Sequence, residues 1–138
     1  MAPTAASTTI VAPQSLADAI LSIVFKFDWV SFAELPRRLT EIGHDDTRGN
    51  ATIELPGDII LWAGYSMVMV DAICQLLEER RLFAHPASPL TYLVDGGMVT
   101  LPIAKQPPVG GYRTPHWLPC CLRVVPIESR QQKRRLTA

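Results

Sequence analysis

The stretch from Ser66 to Ile103 constrains this chain most, because a strong helical pattern there runs directly into a strand-like one. On a helical projection Met69, Val70, Ile73, Leu76 and Leu77 fall on one arc, which predicts a helix over roughly 66–81 with that arc on the core. Ser66 stands where a side-chain oxygen can cap the first turn. The opposite arc holds Met67, Val68, Asp71, Gln75, Glu78 and Glu79 and carries no Lys or Arg. Arg80 and Arg81 follow at the end where cations suit the helix dipole. Beyond them Leu90, Tyr92 and Val94 alternate with Thr91, Leu93 and Asp95, and Val99, Leu101 and Ile103 alternate with Met98, Thr100 and Pro102. With Asp95-Gly96-Gly97 between the two runs, the pattern predicts a β-hairpin with one apolar face. His85-Pro86 and Ser88-Pro89 punctuate the approach as loop.

Two more helices are expected upstream. Ser15 and Asp18 make a capping-box pattern ahead of a run to Phe27 whose polar residues, Asp18, Ser22 and Lys26, form one narrow stripe. A helix apolar nearly all round is either central to the core or buried in a dimer. Asp28-Trp29-Val30 reads as a short extended link. Ser31 and Glu34 repeat the capping pattern, and Phe32, Leu35, Leu39 and Ile42 keep helical spacing until Gly43. Pro36 would break a helix interior, which moves the expected start toward Leu35. Residues 44–58 are dense in turn formers and read as an inserted loop, and Ile59 to Trp62 as a short buried strand.

Three segments follow from this reading. Residues 1–14, rich in Ala, Thr, Ser and Pro, are expected to be a disordered leader. Residues 15–104 form one domain, for which the 48% apolar content of a 138-residue chain is ample. Residues 105–138 are expected to be an extended, partly packed tail, with Trp117 on the domain and Cys121 to Val125 fit for one more strand.

Charge divides at the same place. Residues 1–104 hold six Lys or Arg against twelve Asp or Glu, a net −6, whereas residues 105–138 hold seven against one, a net +6. Whole-chain charge is zero, so only the tail points to an anionic partner. Three cysteines are too few for a disulfide scaffold and favour the cytoplasm. The first apolar run is interrupted by Asp18, Ser22 and Lys26 and is too short to span a bilayer, so no membrane role is expected.

The order helix, short strand, helix, helix, hairpin over about 15–103 resembles the winged helix-turn-helix superfamily. The closest local likeness is helix 66–81 running through Arg80-Arg81-Leu82-Phe83 into Leu90-Thr91-Tyr92-Leu93-Val94. The resemblance implies an α+β fold, a three-helix winged-helix domain with a C-terminal β-hairpin wing and an extended basic tail, and it implies binding to double-stranded DNA. Helix 66–81 lacks the basic and amide side chains with which such helices read bases, so phosphate contacts fall to Arg37, Arg38, Arg113, Arg130, Lys133, Arg134 and Arg135.

No motif designates a reaction. Gly64-Tyr65-Ser66-Met67-Val68 misses a nucleophile elbow by its last glycine, and Ser66 has a sufficient role as a cap. His116 with Cys120 and Cys121 matches no zinc spacing, since adjacent strand residues face opposite ways. Gly96-Gly97 and Gly110-Gly111 neither open a helix after a strand nor carry a phosphate-binding lysine. The chain is therefore expected to be non-enzymatic, with no catalytic residue, metal or cofactor. Two functions stand: DNA binding with a regulatory role, or protein interaction, homodimerisation included, through Met67, Val68, Asp71 and Gln75.

Overall fold

A computed structural model describes residues 14–105 and 108–127. The elements run α1 (Leu16–Phe27), β1 (Val30–Ser31), α2 (Glu34–Glu41), β2 (Arg48–Leu55), β3 (Ile59–Tyr65), α3 (Met67–Glu78), β4 (Phe83–Pro86), α4 (Pro89–Asp95), β5 (His116–Trp117) and β6 (Cys120–Arg123). The class is α+β, with two small sheets. In one, β6 lies between β1 and β4, antiparallel to both. In the other, β3 lies between β2 and β5, antiparallel to β2 and parallel to β5.

The helices start where their capping residues place them. Ser15 Oγ accepts from Asp18 N, and Ser66 Oγ accepts from Met69 N at 3.2 Å. Met69, Val70, Ile73 and Leu76 of α3 are buried against Ala19, Ile20, Ile23 and Val24 of α1 in one core. Helix α2 begins at Glu34, whose N–H donates to Ser31 Oγ at 3.0 Å. Pro36 is tolerated because it falls in the first turn, where an N–H has no intrahelical acceptor to lose.

Two expectations are overturned. The hairpin wing over 90–103 does not form: Pro89–Asp95 is helix α4, and Val99 and Leu101 lie outside any strand. Local chemistry explains this. Ser88 Oγ accepts from Leu90 N, Pro89 occupies the first turn, and Gly96 closes the helix at φ 87° with its N–H on Tyr92 O. Against so complete a set of start and stop signals, the six alternating residues Leu90 to Asp95 do not specify a strand. The inserted loop over 44–58 is also wrong, because 48–55 is strand β2 and forms the hairpin with β3. β2 is an edge strand with only Ile53 buried, so its run carries almost no apolar signal.

The core is aromatic. Trp62 lies 5.2–6.4 Å, centroid to centroid, from Phe32, Tyr65, Tyr92 and Trp117, and Tyr92 meets Trp117 edge-on at 5.0 Å. The polar handles of this cluster are used on backbone. Tyr65 Oη donates to Phe32 O at 2.7 Å, Trp117 Nε1 to Leu61 O at 3.2 Å, and Tyr92 Oη takes Phe32 N–H while donating to Cys120 O. Trp117 and β6 both come from beyond Lys105, so that part of the chain supplies core, not only surface. Among the described residues, no helix is long and apolar enough to cross a membrane.

Candidate functional site

An irregularity in β2 lies beside one of the cavities. Arg48 and Ala51 both register on Tyr65, so Gly49 and Asn50 are extra residues in a bulge. A Cβ at Gly49 would stand 3.0 Å from Ser66 Cα and Tyr65 O, a tight approach that favours glycine. Bulges of this kind re-aim side chains, and here Arg48 lines a cavity of about 340 Å³. Phe32, Arg37, Trp62, Asp95, Gly96 and Gly97 line it with Arg48.

The electrostatics of that cavity are asymmetric. Arg37 Nη1 donates to the Asp95 carbonyl at 2.7 Å, which ties α2 to the end of α4. The Asp95 carboxylate accepts from Ser31 Oγ at 2.6 Å. Ion pairs among the described residues join Arg38 to Glu34, Arg81 to Glu79 and Arg123 to Asp28, and neither Arg37 nor Arg48 belongs to them. Two arginines and one aspartate therefore line the cavity, and the aspartate carboxylate is already hydrogen-bonded.

A second feature lies on the outside of α4. Leu90, Leu93 and Val94, spaced i, i+3, i+4, are 66%, 60% and 86% exposed, and Met98 just beyond is 46% exposed. Only Asp95 is charged in this helix, and its carboxylate is held on Ser31.

The residues singled out from sequence divide among several places. Met67, Val68, Asp71 and Gln75 are exposed on α3, as the helical projection expects, and Met67 borders a shallow hollow that Arg48 also lines. Arg37 reaches the cavity, whereas its neighbour Arg38 pairs with Glu34 at 2.8 Å and lies over the Phe27 ring at 3.6 Å. Arg113 is exposed. Arg130, Lys133, Arg134 and Arg135 lie outside the described residues, as does the leader apart from Gln14. Sequence reasoning missed Arg48 and Trp62, the first inside a presumed loop and the second assigned only to a core strand. The pair Gly49-Asn50 at the head of the alternating run Ala51 to Leu55 was the available sign of a bulged strand.

The reactive side chains are committed to structure. Ser66 Oγ, besides capping, donates to Asp46 O at 2.9 Å. His85 Nε2 donates to Val125 O at 2.6 Å, and His116 stacks on Tyr112 at 3.7 Å. Burial pushes the Cys120 thiol up to about 12 and the Cys121 thiol up to about 11, which keeps both protonated near neutrality. Among the described residues, no group of three or more His, Cys, Asp or Glu side chains is placed to hold a metal ion. Compared with models of protein families, with curated proteins and with solved structures, the chain matches none.

Proposed function

We propose that this protein is a non-enzymatic protein-interaction module that works as a homodimer through the outer face of α4. The observation that carries this is the exposure of Leu90, Leu93 and Val94 on a helix whose single charge is turned inward. An uncharged apolar stripe suits self-association, because in a two-fold dimer the same patch meets itself and needs no opposite charge across the interface. Met67 and Val68 supply a second uncovered apolar pair for another partner. The cytoplasm is the compartment we assign, supported by three free thiols. Light scattering after size exclusion tests the dimer. The wild type should run as a dimer and Leu93→Glu as a folded monomer; a wild type that stays monomeric at high concentration overturns the reading.

DNA binding is the second reading, and segregation of charge favours it, with a net +6 over residues 105–138. Its support from the winged-helix likeness is confined to α1, β1, α2 and α3, since the hairpin β2–β3 precedes α3 and helix α4 stands where a wing would be. The exposed face of α3 presents Asp71, Glu78 and Glu79 and would repel phosphate. A mobility-shift assay at low salt decides: salt-sensitive duplex binding that falls on deleting 130–138 supports it, and absence of any shift removes it.

A further inference from the structure

The dimer reading leaves the cavity beside Arg37 and Arg48 without a role, and its chemistry is selective. Two arginines line it from different elements, Arg37 from α2 and Arg48 from the bulge of β2. Guanidinium forks match the geometry of a carboxylate and bind it in bidentate fashion. Arg37 is also held in place, since one of its nitrogens is fixed on the Asp95 carbonyl while its other donors remain for a ligand. The Asp95 carboxylate leaves a net charge of one positive unit in the lining, which suits a monoanion better than a phosphate carrying two charges.

Size and wall chemistry limit the rest of the ligand. The cavity measures about 340 Å³, at the small end for a ligand site. Trp62 is its largest apolar wall and is partly exposed, with Phe32 and Tyr65 beside it. Gly97 packs directly on the Trp62 ring edge, where a Cβ would lie 3.4 Å from Cη2.

We propose that this cavity binds a small monocarboxylate, with the carboxylate on Arg37 and Arg48 and its apolar part toward Trp62. The site uses residues other than those of the proposed dimer and does not rest on it. Benzoate is the probe, titrated into the isotope-labelled full chain and followed by amide and indole resonances. Saturable shifts are expected at Gly64, Gly96, Gly97 and the Trp62 indole. Arg48→Gln should weaken binding about tenfold or more with the remaining spectrum unchanged, and Arg37→Gln likewise, with further shifts confined to the residues around Asp95, whose carbonyl it releases. Both side chains are exposed, so neither substitution opens the core. Inorganic phosphate is the comparison ligand and should bind more weakly than benzoate. No saturable shift at millimolar benzoate, wild-type affinity in both arginine variants, or phosphate binding as tightly as benzoate would each overturn the proposal.

Discussion

Arg123 grips Asp28 across 95 positions of sequence with two parallel hydrogen bonds, Nε to Oδ1 and Nη2 to Oδ2, each 2.8 Å. The pair pins an unusual corner. Asp28 and Trp29 both have positive φ, 52° and 49°, a conformation that non-glycine residues adopt at a cost. Arg123 also lies over the Trp29 ring at 4.4 Å, and Asp28 Oδ1 accepts from Trp29 N.

The Arg123 guanidinium holds the Asp28 carboxyl below its ordinary value of 3.8. A depressed carboxylate contributes stability that is intact above the ordinary value and is lost as pH falls through the lower folded value. Asp28→Asn should therefore melt a few degrees below wild type at pH 7, and the gap should close below pH 4. Arg123→Lys keeps the charge without the fork and should recover only part of the loss. Thermal melts across pH 2–7 check both.

Tyr92→Phe should be costly although it removes one oxygen. The hydroxyl accepts from Phe32 N at 3.1 Å and donates to Cys120 O, in a side chain that is fully buried. Its loss leaves a buried donor and a buried acceptor unpaired, an expected penalty of about 2–4 kcal/mol in urea unfolding. Tyr65→Phe strands only the Phe32 carbonyl and should cost about half as much.

Gly111→Ala and Gly110→Ala form a matched pair. Both glycines have positive φ, 86° and 84°. A Cβ at Gly111 would stand 2.3 Å from Gly57 Cα, whereas at Gly110 nothing lies within 4 Å. Gly110→Ala should cost about 1 kcal/mol for the backbone conformation alone, and Gly111→Ala clearly more, because two backbones must separate. Equal losses in denaturant melts would contradict the close crossing.

The thiols should react in two classes. Cys74 is partly exposed, and burial together with Glu78 and Asp71 raises its pKa only moderately, while Cys120 and Cys121 are 1% and 2% exposed. An aromatic disulfide reagent at pH 8 should modify Cys74 slowly in the folded protein and all three thiols at once in urea.

What could be read in advance was the part of the fold written in caps and apolar arcs. Ser15 and Ser66 start helices where expected, and the buried arc of α3 holds at Met69, Val70, Ile73 and Leu76. The segment 89–103 failed because Leu90, Tyr92 and Val94 fit a strand as well as Leu90, Leu93 and Val94 fit a helix, and Ser88, Pro89 and Gly96 decided between them. β2 was obscured because its short alternation of Ala51, Ile53 and Leu55 sits among turn formers, and the cavity went with it, since Arg48 belongs to that strand's bulge. No local pattern brings Arg37, Arg48 and Gly97 together; only the tertiary fold does.

The place of β6 between β1 and β4 has a consequence for the order in which the molecule is made. During synthesis β1 and β4 emerge early, with Val30 and His85 still lacking their partners Leu122 and Cys121. Both edges of that sheet must wait for a strand that leaves the ribosome last among the described elements. A nascent chain stalled before residue 115 would expose two unpaired strands, along with the pocket Trp117 fills, and should recruit chaperones more strongly than one stalled beyond its end.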